Sequence, residues 1–321
     1  MSKRYPWKKY FFYLLPIIFL VFILLFPSQA RNGAASGLLL WFNVLLPTLL
    51  PFMILSDLIR RLHIVETVCQ RISSRTGKNL FFLYPLLLGL LSGLPLGAKL
   101  TAEAVRSGQL SRKNGQLLLT VCNNSSTMFL MGYVAEAQLQ RPDLIGYFLL
   151  LIPFSSLLAA VFSAVFSHFF SSILFLIPHS EPLVKNHTVQ MTSLSEANTP
   201  TSFLGSVNNS IMDSFTVLTQ VGGFVILFSV LAEFALLIDS PFTLPLVASL
   251  EITTGVRAIC ASSLSQSAKI ILSAAAVSFT GLSGIAQTAC VLSATGLSLV
   301  QYIISRILSA ALCAVFFLIL L

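Results

Sequence analysis

Long apolar runs follow one another along almost the whole chain. A helix needs about 20 apolar residues to cross the roughly 30 Å hydrocarbon core of a bilayer. Nine runs near that length lie at about residues 10–27, 35–57, 80–98, 115–135, 144–178, 214–238, 242–262, 270–292 and 297–321. Only 9% of the 321 residues are charged, against about 25% in soluble domains. The sequence therefore predicts an all-α polytopic membrane protein with no room for a soluble domain.

The N-terminus begins with a short basic segment, MSKRYPWKK, and continues into the first apolar run. This order is typical of a cleaved signal peptide or of a retained signal anchor. The apolar run is long for a signal peptide and precedes a polytopic chain, so a retained anchor helix over residues 1–31 is favoured, with its N-terminus in the cytoplasm. The formal net charge of +8 comes from Lys and Arg in short loops, as expected for cytoplasmic loops. Nucleic-acid binding is not predicted.

The stretch 92–126, SGLPLGAKLTAEAVRSGQLSRKNGQLLLTVCNNSS, places glycine, proline and polar residues beside strongly apolar runs. If residues 80–98 crossed the bilayer, the basic residues between 106 and 113 would lie outside, against the positive-inside rule. A hairpin that enters from the cytoplasm, turns near 92–97 and returns avoids this conflict. The next run is itself interrupted by the polar sequence NNSS at 123–126, and irregular backbone at membrane depth is tolerated where it lines a cavity.

The second half repeats this pattern weakly but in the same order. LPLGAK at 94–99 aligns with ITTGVR at 252–257, and TVCNNSS at 120–126 aligns with VSFTGLS at 277–283. We therefore predict a first transporter repeat over 32–178, a polar cytoplasmic linker over 179–212 and a second repeat over 213–321. Each repeat has an odd number of crossings, so the two would be inverted, as in many secondary transporters. The scheme has about seven crossings and two re-entrant hairpins.

Lys99 and Arg257 are the strongest functional candidates, because each follows a glycine of a predicted hairpin by two residues. A cation at membrane depth is costly unless it is paired, and a symmetric pair of cations would suit a small anion. Two alternatives stay open. The cations could pair with Glu103 and Glu251, or they could extend to the interface.

Other polar residues of the two broken regions can donate or accept hydrogen bonds to a solute, and half-helix N-termini beside them would attract carboxylates. Helix packing is the alternative role for these residues. Glu233 and Glu251 are candidate sites for a coupling proton or sodium ion, or partners of a neighbouring Arg. The predicted substrate-binding set is Ser92, Gly93, Pro95, Gly97, Lys99, Asn123, Asn124, Ser125, Ser126, Glu251, Thr253, Thr254, Gly255, Arg257, Thr280 and Ser283.

Enzyme function is not predicted. The sequence contains no GxSxG, HExxH or phosphate-loop motif, and its five cysteines are scattered without a CxxC pair. We therefore expect neither a catalytic site nor a metal or other cofactor.

The segments SGLPLGAKL, SGQLSRKNGQLLLTVCNNSS and LEITTGVRAI resemble the YlbJ (SpoVV) sporulation integral membrane proteins, within the larger group that carries the nucleoside-recognition or Gate domain. The resemblance implies a transporter-like protein of spore-forming bacteria, associated with moving dipicolinate from the mother cell towards the forespore. It carries over Ser92, Gly93, Pro95, Gly97, Lys99, Cys122, Asn123, Asn124, Ser125, Ser126, Glu251, Thr253, Thr254 and Gly255.

The functional hypothesis is transport of a small anionic solute, dipicolinate during spore formation, by alternating access across the cell membrane or the outer forespore membrane. Its partners are the solute, the bilayer and a coupling proton or sodium ion. One alternative is a nucleoside or other organic-anion transporter outside sporulation. Another is a membrane scaffold that recruits sporulation proteins without transporting anything.

Overall fold

The computed structural model describes residues 7–64, 67–68, 71–72, 74, 82–174, 202–238 and 240–321, without the side chains of 7–13, 15 and 166–174. Helices make up the regular structure throughout these residues, and no strand occurs among them. The prediction of an all-α fold is confirmed.

The helices of the first half end before residue 175. They are α1 Trp7–Leu25, α2 Pro27–Leu40, a π-helical turn Trp41–Leu45, α3 Leu46–Arg61, α4 Leu83–Ser92, α5 Leu96–Arg106, α6 Arg112–Cys122, a π-helix Phe129–Gln138, a 3₁₀ turn Pro142–Leu144 and α7 Ile145–Leu174. The second half contains α8 Phe203–Ala235, α9 Thr243–Leu250, α10 Ile252–Ala261, α11 Gln266–Phe279, α12 Gly281–Val291 and α13 Leu299–Leu320.

Five helical segments of the described chain are long and apolar enough to cross a membrane, which makes the protein polytopic. They are Pro27–Arg61, Pro142–Val165, Phe203–Ala235, Gln266–Val291 and Leu299–Leu320. The prediction of about seven crossings adds α1 and the interrupted helix formed by α6 and the π-helix to these five, and it stays a prediction.

A seam of small residues joins the first long helix to α8. Gly33 and Gly37 lie four residues apart on α2, and a Cβ atom at either position would lie within 3.0 Å of the α8 backbone at Val230 or Ile226. Such spacing of small residues lets helices approach closely where no hydrophobic effect drives association. Further along the same contact, the Trp41 indole donates a hydrogen bond to the Leu218 carbonyl at 2.8 Å.

Both predicted hairpins are present, but only the first turns at a glycine, Gly93, whereas Gly255 of the second lies within α10. In the first, α4 ends at Ser92, Gly93 has φ +72°, and α5 begins at Leu96. In the second, only the extended residue Glu251 separates α9 from α10. Gly255 lets the arms of the second hairpin touch, because a Cβ atom there would lie 2.4 Å from Ala248 Cα.

Two helices are interrupted, again at the predicted places. The first breaks after Cys122 and resumes through residues 127–128 into the π-helix. The second breaks at Thr280, which has a left-handed backbone (φ 73°, ψ −1°), and resumes at Gly281 as α12. A β-branched residue rarely adopts this conformation, and such strain often marks functional sites.

The order of elements is the same in both halves: a long helix, a hairpin, an interrupted helix and a long helix. Residues 203–212 of the predicted linker form the beginning of α8, and the part of the linker up to residue 201 lies outside the described residues. The inverted orientation of the repeats and the domain boundaries stay predictions.

Candidate functional site

A cavity lies where the two hairpin tips meet the two helix interruptions, and we call it the junction cavity. Its empty space, including the opening, is about 480 Å³. The hairpins contribute Leu94, Glu251, Ile252 and Thr253, and the interruptions contribute Ser125, Ser126 and Thr280 with the start of α12. Apolar side chains from α3 and α8 complete the lining. Backbone breaks from four separate segments therefore converge on one small space.

The hairpin tips and the interruptions touch directly. The Leu94 N–H donates to the Asn124 carbonyl at 2.9 Å, and a Cβ atom at Gly93 would lie 2.4 Å from Ser126 N. In the second half, Gly281 lies against Ile252 and the Leu250 carbonyl, where its Cβ would approach to 3.2–3.4 Å. Each hairpin therefore packs on the interruption of its own half.

Two groups at the junction cavity are suited to bind an anion. The Thr280 side chain is 1% exposed, and its hydroxyl has no hydrogen-bond partner among the described residues. The same residue precedes α12, whose N-terminus carries no side-chain cap. A helix N-terminus has partial positive charge and free N–H groups, so it favours anionic ligands.

Glu251 brings a carboxylate into the lining and is 2% exposed. It caps α10, because Oε2 accepts from the Thr254 N–H at 2.7 Å and Oε1 accepts from the Thr253 hydroxyl at 3.0 Å. A buried carboxylate held by neutral donors is available to bind a proton or a small cation.

The predicted substrate-binding residues fall into three groups. Ser125, Ser126, Glu251, Thr253, Thr280 and Ser283 line the junction cavity. Pro95 and Lys99 line a smaller neighbouring cavity, the Lys99 cavity, which shares Val221 and Gln287 with the first. The others lie in packing contacts instead of in either lining: Ser92, Gly93, Gly97, Asn123, Asn124, Thr254, Gly255 and Arg257.

The two candidate cations do not share a cavity. Lys99 is half-buried in the Lys99 cavity, whereas the Arg257 guanidinium donates to the Ser36 hydroxyl of α2 at 2.5 Å. The Glu251 partner considered for Arg257 is bound by Thr253 and Thr254. The other coupling-ion candidate, Glu233, is half-buried on α8 beside Gly33 of α2.

The comparison with known proteins gives a relative that spans most of the chain. The sporulation integral membrane protein YlbJ of Bacillus subtilis (strain 168) is 30% identical to this chain. The match covers 90% of this chain and 77% of YlbJ. The chain belongs to the YlbJ family. No family model matches it, and no solved structure gives a significant match.

Membership of the YlbJ family confirms the resemblance drawn from the sequence segments of both halves. The match to YlbJ extends over both halves because it covers 90% of this chain. The wider Gate-domain relationship and the residue roles carried over from the family stay predictions.

The predicted binding set leaves out Arg306, the most deeply buried charged side chain that the structure describes in this YlbJ-family chain. Arg306 on α13 is 0% exposed and contacts the ends of both interrupted helices. Its signal in the sequence was a lone arginine inside the last apolar run, since an intramembrane arginine is costly and usually functional. The hydrogen-bond partners of Arg306 could not be identified from the sequence, because they are two backbone carbonyls and one side-chain amide.

Proposed function

We propose that this chain is a membrane transporter of a small anionic solute that works by alternating access, with dipicolinate during spore formation as the first candidate. One observation carries the proposal: both hairpin tips and both helix interruptions line a single cavity. Broken segments that meet in this way form the solute sites of secondary transporters. The name of the YlbJ relative, a sporulation integral membrane protein, supports spore formation as the setting.

The chemistry of the lining supports an anion over a neutral solute. The free Thr280 hydroxyl and the uncapped start of α12 offer hydrogen-bond donors at a positive helix end. Lys99 adds an ammonium group in the neighbouring cavity, which shares Gln287 with the junction cavity. Carboxylate groups are well matched to both kinds of donor.

Glu251 supports the idea of a coupling ion. An anion that entered the junction cavity beside an ionised Glu251 would meet a like charge, and like charges at close range in a membrane protein are costly. A proton or a sodium ion on Glu251 removes this repulsion. Entry of the anion together with the coupling ion is then favoured over entry of the anion alone.

The test is uptake by proteoliposomes of labelled dipicolinate, a nucleoside and a simple dicarboxylate. Lys99→Ala is the test variant, and Lys113→Ala, an exposed lysine at the start of α6, is the matched control. We expect saturable dipicolinate uptake that Lys99→Ala lowers and Lys113→Ala does not. Uptake of the nucleoside alone would show that the transported solute is neutral and not an anion. Folded, inserted protein that takes up no solute would favour the scaffold function.

A further inference from the structure

Arg306 is a buried cation whose partners are all neutral. Its Nη1 donates to Asn124 Oδ1 at 2.5 Å and to the Ser278 carbonyl at 3.4 Å, and its Nη2 donates to the Thr120 carbonyl. The guanidinium carbon lies 5.2 Å from the Tyr302 ring centroid. Among the described residues no carboxylate forms an ion pair with it. An arginine keeps its proton in proteins, so a full positive charge stays here.

Helix ends compensate this charge in part. Thr120 lies in the last turn of α6, and Ser278 lies in the last turn of α11. The carbonyls of a last helical turn lack helical partners and carry partial negative charge. Arg306 therefore lies where the C-terminal ends of α6 and α11 converge, and it donates to one backbone carbonyl of each helix.

The same positions adjoin the junction cavity. Ser125, the neighbour of Asn124, lines the cavity, and so does Thr280, two residues after Ser278. Of the described residues in that lining, Glu251 alone is charged, and its charge is negative. The charged side chain of the lining would therefore repel an anion, while the neutral donors at Thr280 and the start of α12 would favour one. Positive charge comes from outside this lining, from Lys99 in the neighbouring cavity and from Arg306, which lies against both interruptions.

We propose that Arg306 determines the specificity of the junction cavity for anions: it raises the electrostatic potential there without touching the solute, through its place behind the two helix interruptions. The proposal rests on the proposed transport of an anion, and it adds the residue responsible for the choice of charge. Arg306 is thus a positioning and specificity-determining residue, whereas Lys99 lines a cavity and can reach a solute directly.

The experiment measures the potential in the cavity without relying on transport. A single cysteine replaces Ser283 in a chain whose five native cysteines have been replaced. Its rate of modification is measured with methanethiosulfonate reagents that are anionic (sulfonatoethyl), cationic (trimethylammonioethyl) and neutral (methyl). The readout is the ratio of the rate constants for the anionic and the cationic reagent. The neutral reagent measures access, so a change in cavity shape alone would slow all three reagents together.

Asn124→Asp is the main variant, because it places a carboxylate on the Arg306 guanidinium with almost no change of shape. Arg306→Gln is the second variant, which removes the charge and keeps hydrogen-bond donors, in case Asn124→Asp does not fold. Arg106→Gln is the matched control, because exposed Arg106 likewise donates to a helix-terminal carbonyl, that of Val291, at 2.8 Å.

We expect Asn124→Asp and Arg306→Gln to lower the rate ratio by about tenfold or more, since fields of this kind change association rates by about 10- to 1,000-fold. Arg106→Gln should stay within about twofold of the parent chain, because an exposed charge is largely screened by salt. An unchanged ratio in Asn124→Asp or Arg306→Gln overturns the proposal. Failure of all three reagents to react also overturns the proposal, because a cavity that no reagent can enter does not select solutes by charge.

The two proposals fail in different ways. A lowered ratio in a chain that transports no anion would keep the role of Arg306 and overturn the proposed function. Anion uptake together with an unchanged ratio would keep the proposed function and overturn the role of Arg306.

Discussion

The Asn123 amide nitrogen donates to the Thr288 hydroxyl at 2.8 Å, so the interrupted helix of the first half is bonded directly to that of the second. The same nitrogen donates to the Tyr302 hydroxyl at 2.9 Å, and Oδ1 accepts from the Ala98 N–H at 3.1 Å. Asn123 is fully buried. Both the oxygen and the nitrogen of its side-chain amide are therefore bonded within the protein. This favours a role in helix packing over contact with a solute.

Asn123→Ala should destabilise the fold. It leaves the buried Ala98 N–H without its side-chain partner, and such a loss costs about 1–3 kcal/mol. The Tyr302 hydroxyl keeps its bond to the backbone carbonyl of residue 123. Thermal unfolding in detergent should occur several degrees lower than in the parent chain. The control is Asn114→Ala, an exposed position on α6, where we expect a change below about 0.5 kcal/mol. Equal melting temperatures for the two variants would contradict a role of Asn123 in helix packing.

Gly93→Ala should prevent the first hairpin from packing. Gly93 has φ +72°, and an added Cβ would also lie 2.4 Å from Ser126 N. Gly108 has φ +74° with nothing within 4 Å of its Cβ position. Gly108→Ala therefore shows the effect of a positive φ without a close contact, about 1 kcal/mol. We expect Gly108→Ala to give folded protein and Gly93→Ala to give little, as measured by size-exclusion chromatography in detergent. Comparable yields would mean that the contact with Ser126 can relax.

Glu251→Gln should separate anion movement from the coupling ion. The amide oxygen can still accept from the Thr254 N–H, so the cap of α10 is kept in part, but the side chain no longer takes up a proton or a cation. Uptake should become insensitive to an imposed proton or sodium gradient. Glu233→Gln, on α8 and outside both cavity linings, is the comparison and should keep its response. A variant Glu251→Gln that still follows the gradient would exclude Glu251 as the coupling site.

Lys99→Gln and Arg257→Gln should have different effects. Lys99 lines the cavity beside the junction cavity, so its loss should raise KM for the anion by about tenfold, the effect of a lost interaction of about 1.4 kcal/mol. Arg257 donates to Ser36 across the contact of α10 with α2, so its loss should lower the yield of folded protein. Kinetics measured at equal amounts of folded protein distinguish these outcomes. A matching rise in KM for both variants would instead favour a shared anion site.

The sequence predicted the broken elements because their signals are local. Gly93 and the NNSS segment are incompatible with uninterrupted apolar helices, and the structure breaks within those segments. The hydroxyls of the junction cavity could also be named in advance, since a polar residue at an interruption has no helical turn to cover it. Six of the sixteen predicted binding residues line that cavity, which places the signal in the breaks themselves.

The placement of the cations could not be predicted in the same way. Lys99 and Arg257 each follow a hairpin glycine by two residues, and two residues rotate a helix by about 200°. Because Gly97 faces Cys122 and Gly255 faces Ala248, each cation points away from that contact. What it meets there depends on the neighbouring helix, which is α8 for Lys99 and α2 for Arg257. The repeat in the sequence therefore predicts the side of the helix on which each cation lies, but not the residue that the cation contacts.

The close contact of Gly33 and Gly37 with α8 bears on which parts of the molecule could move. Gly33 and Gly37 lie about one helical turn apart, and backbones in contact at both positions cannot slide without a clash, so we expect this seam to stay closed during the proposed transport. Movement of the solute under the proposed function then has to come from the hairpins and the interruptions that they pack on. We expect spin labels on α2 and α8 to keep one distance throughout transport, while labels on the hairpins report two.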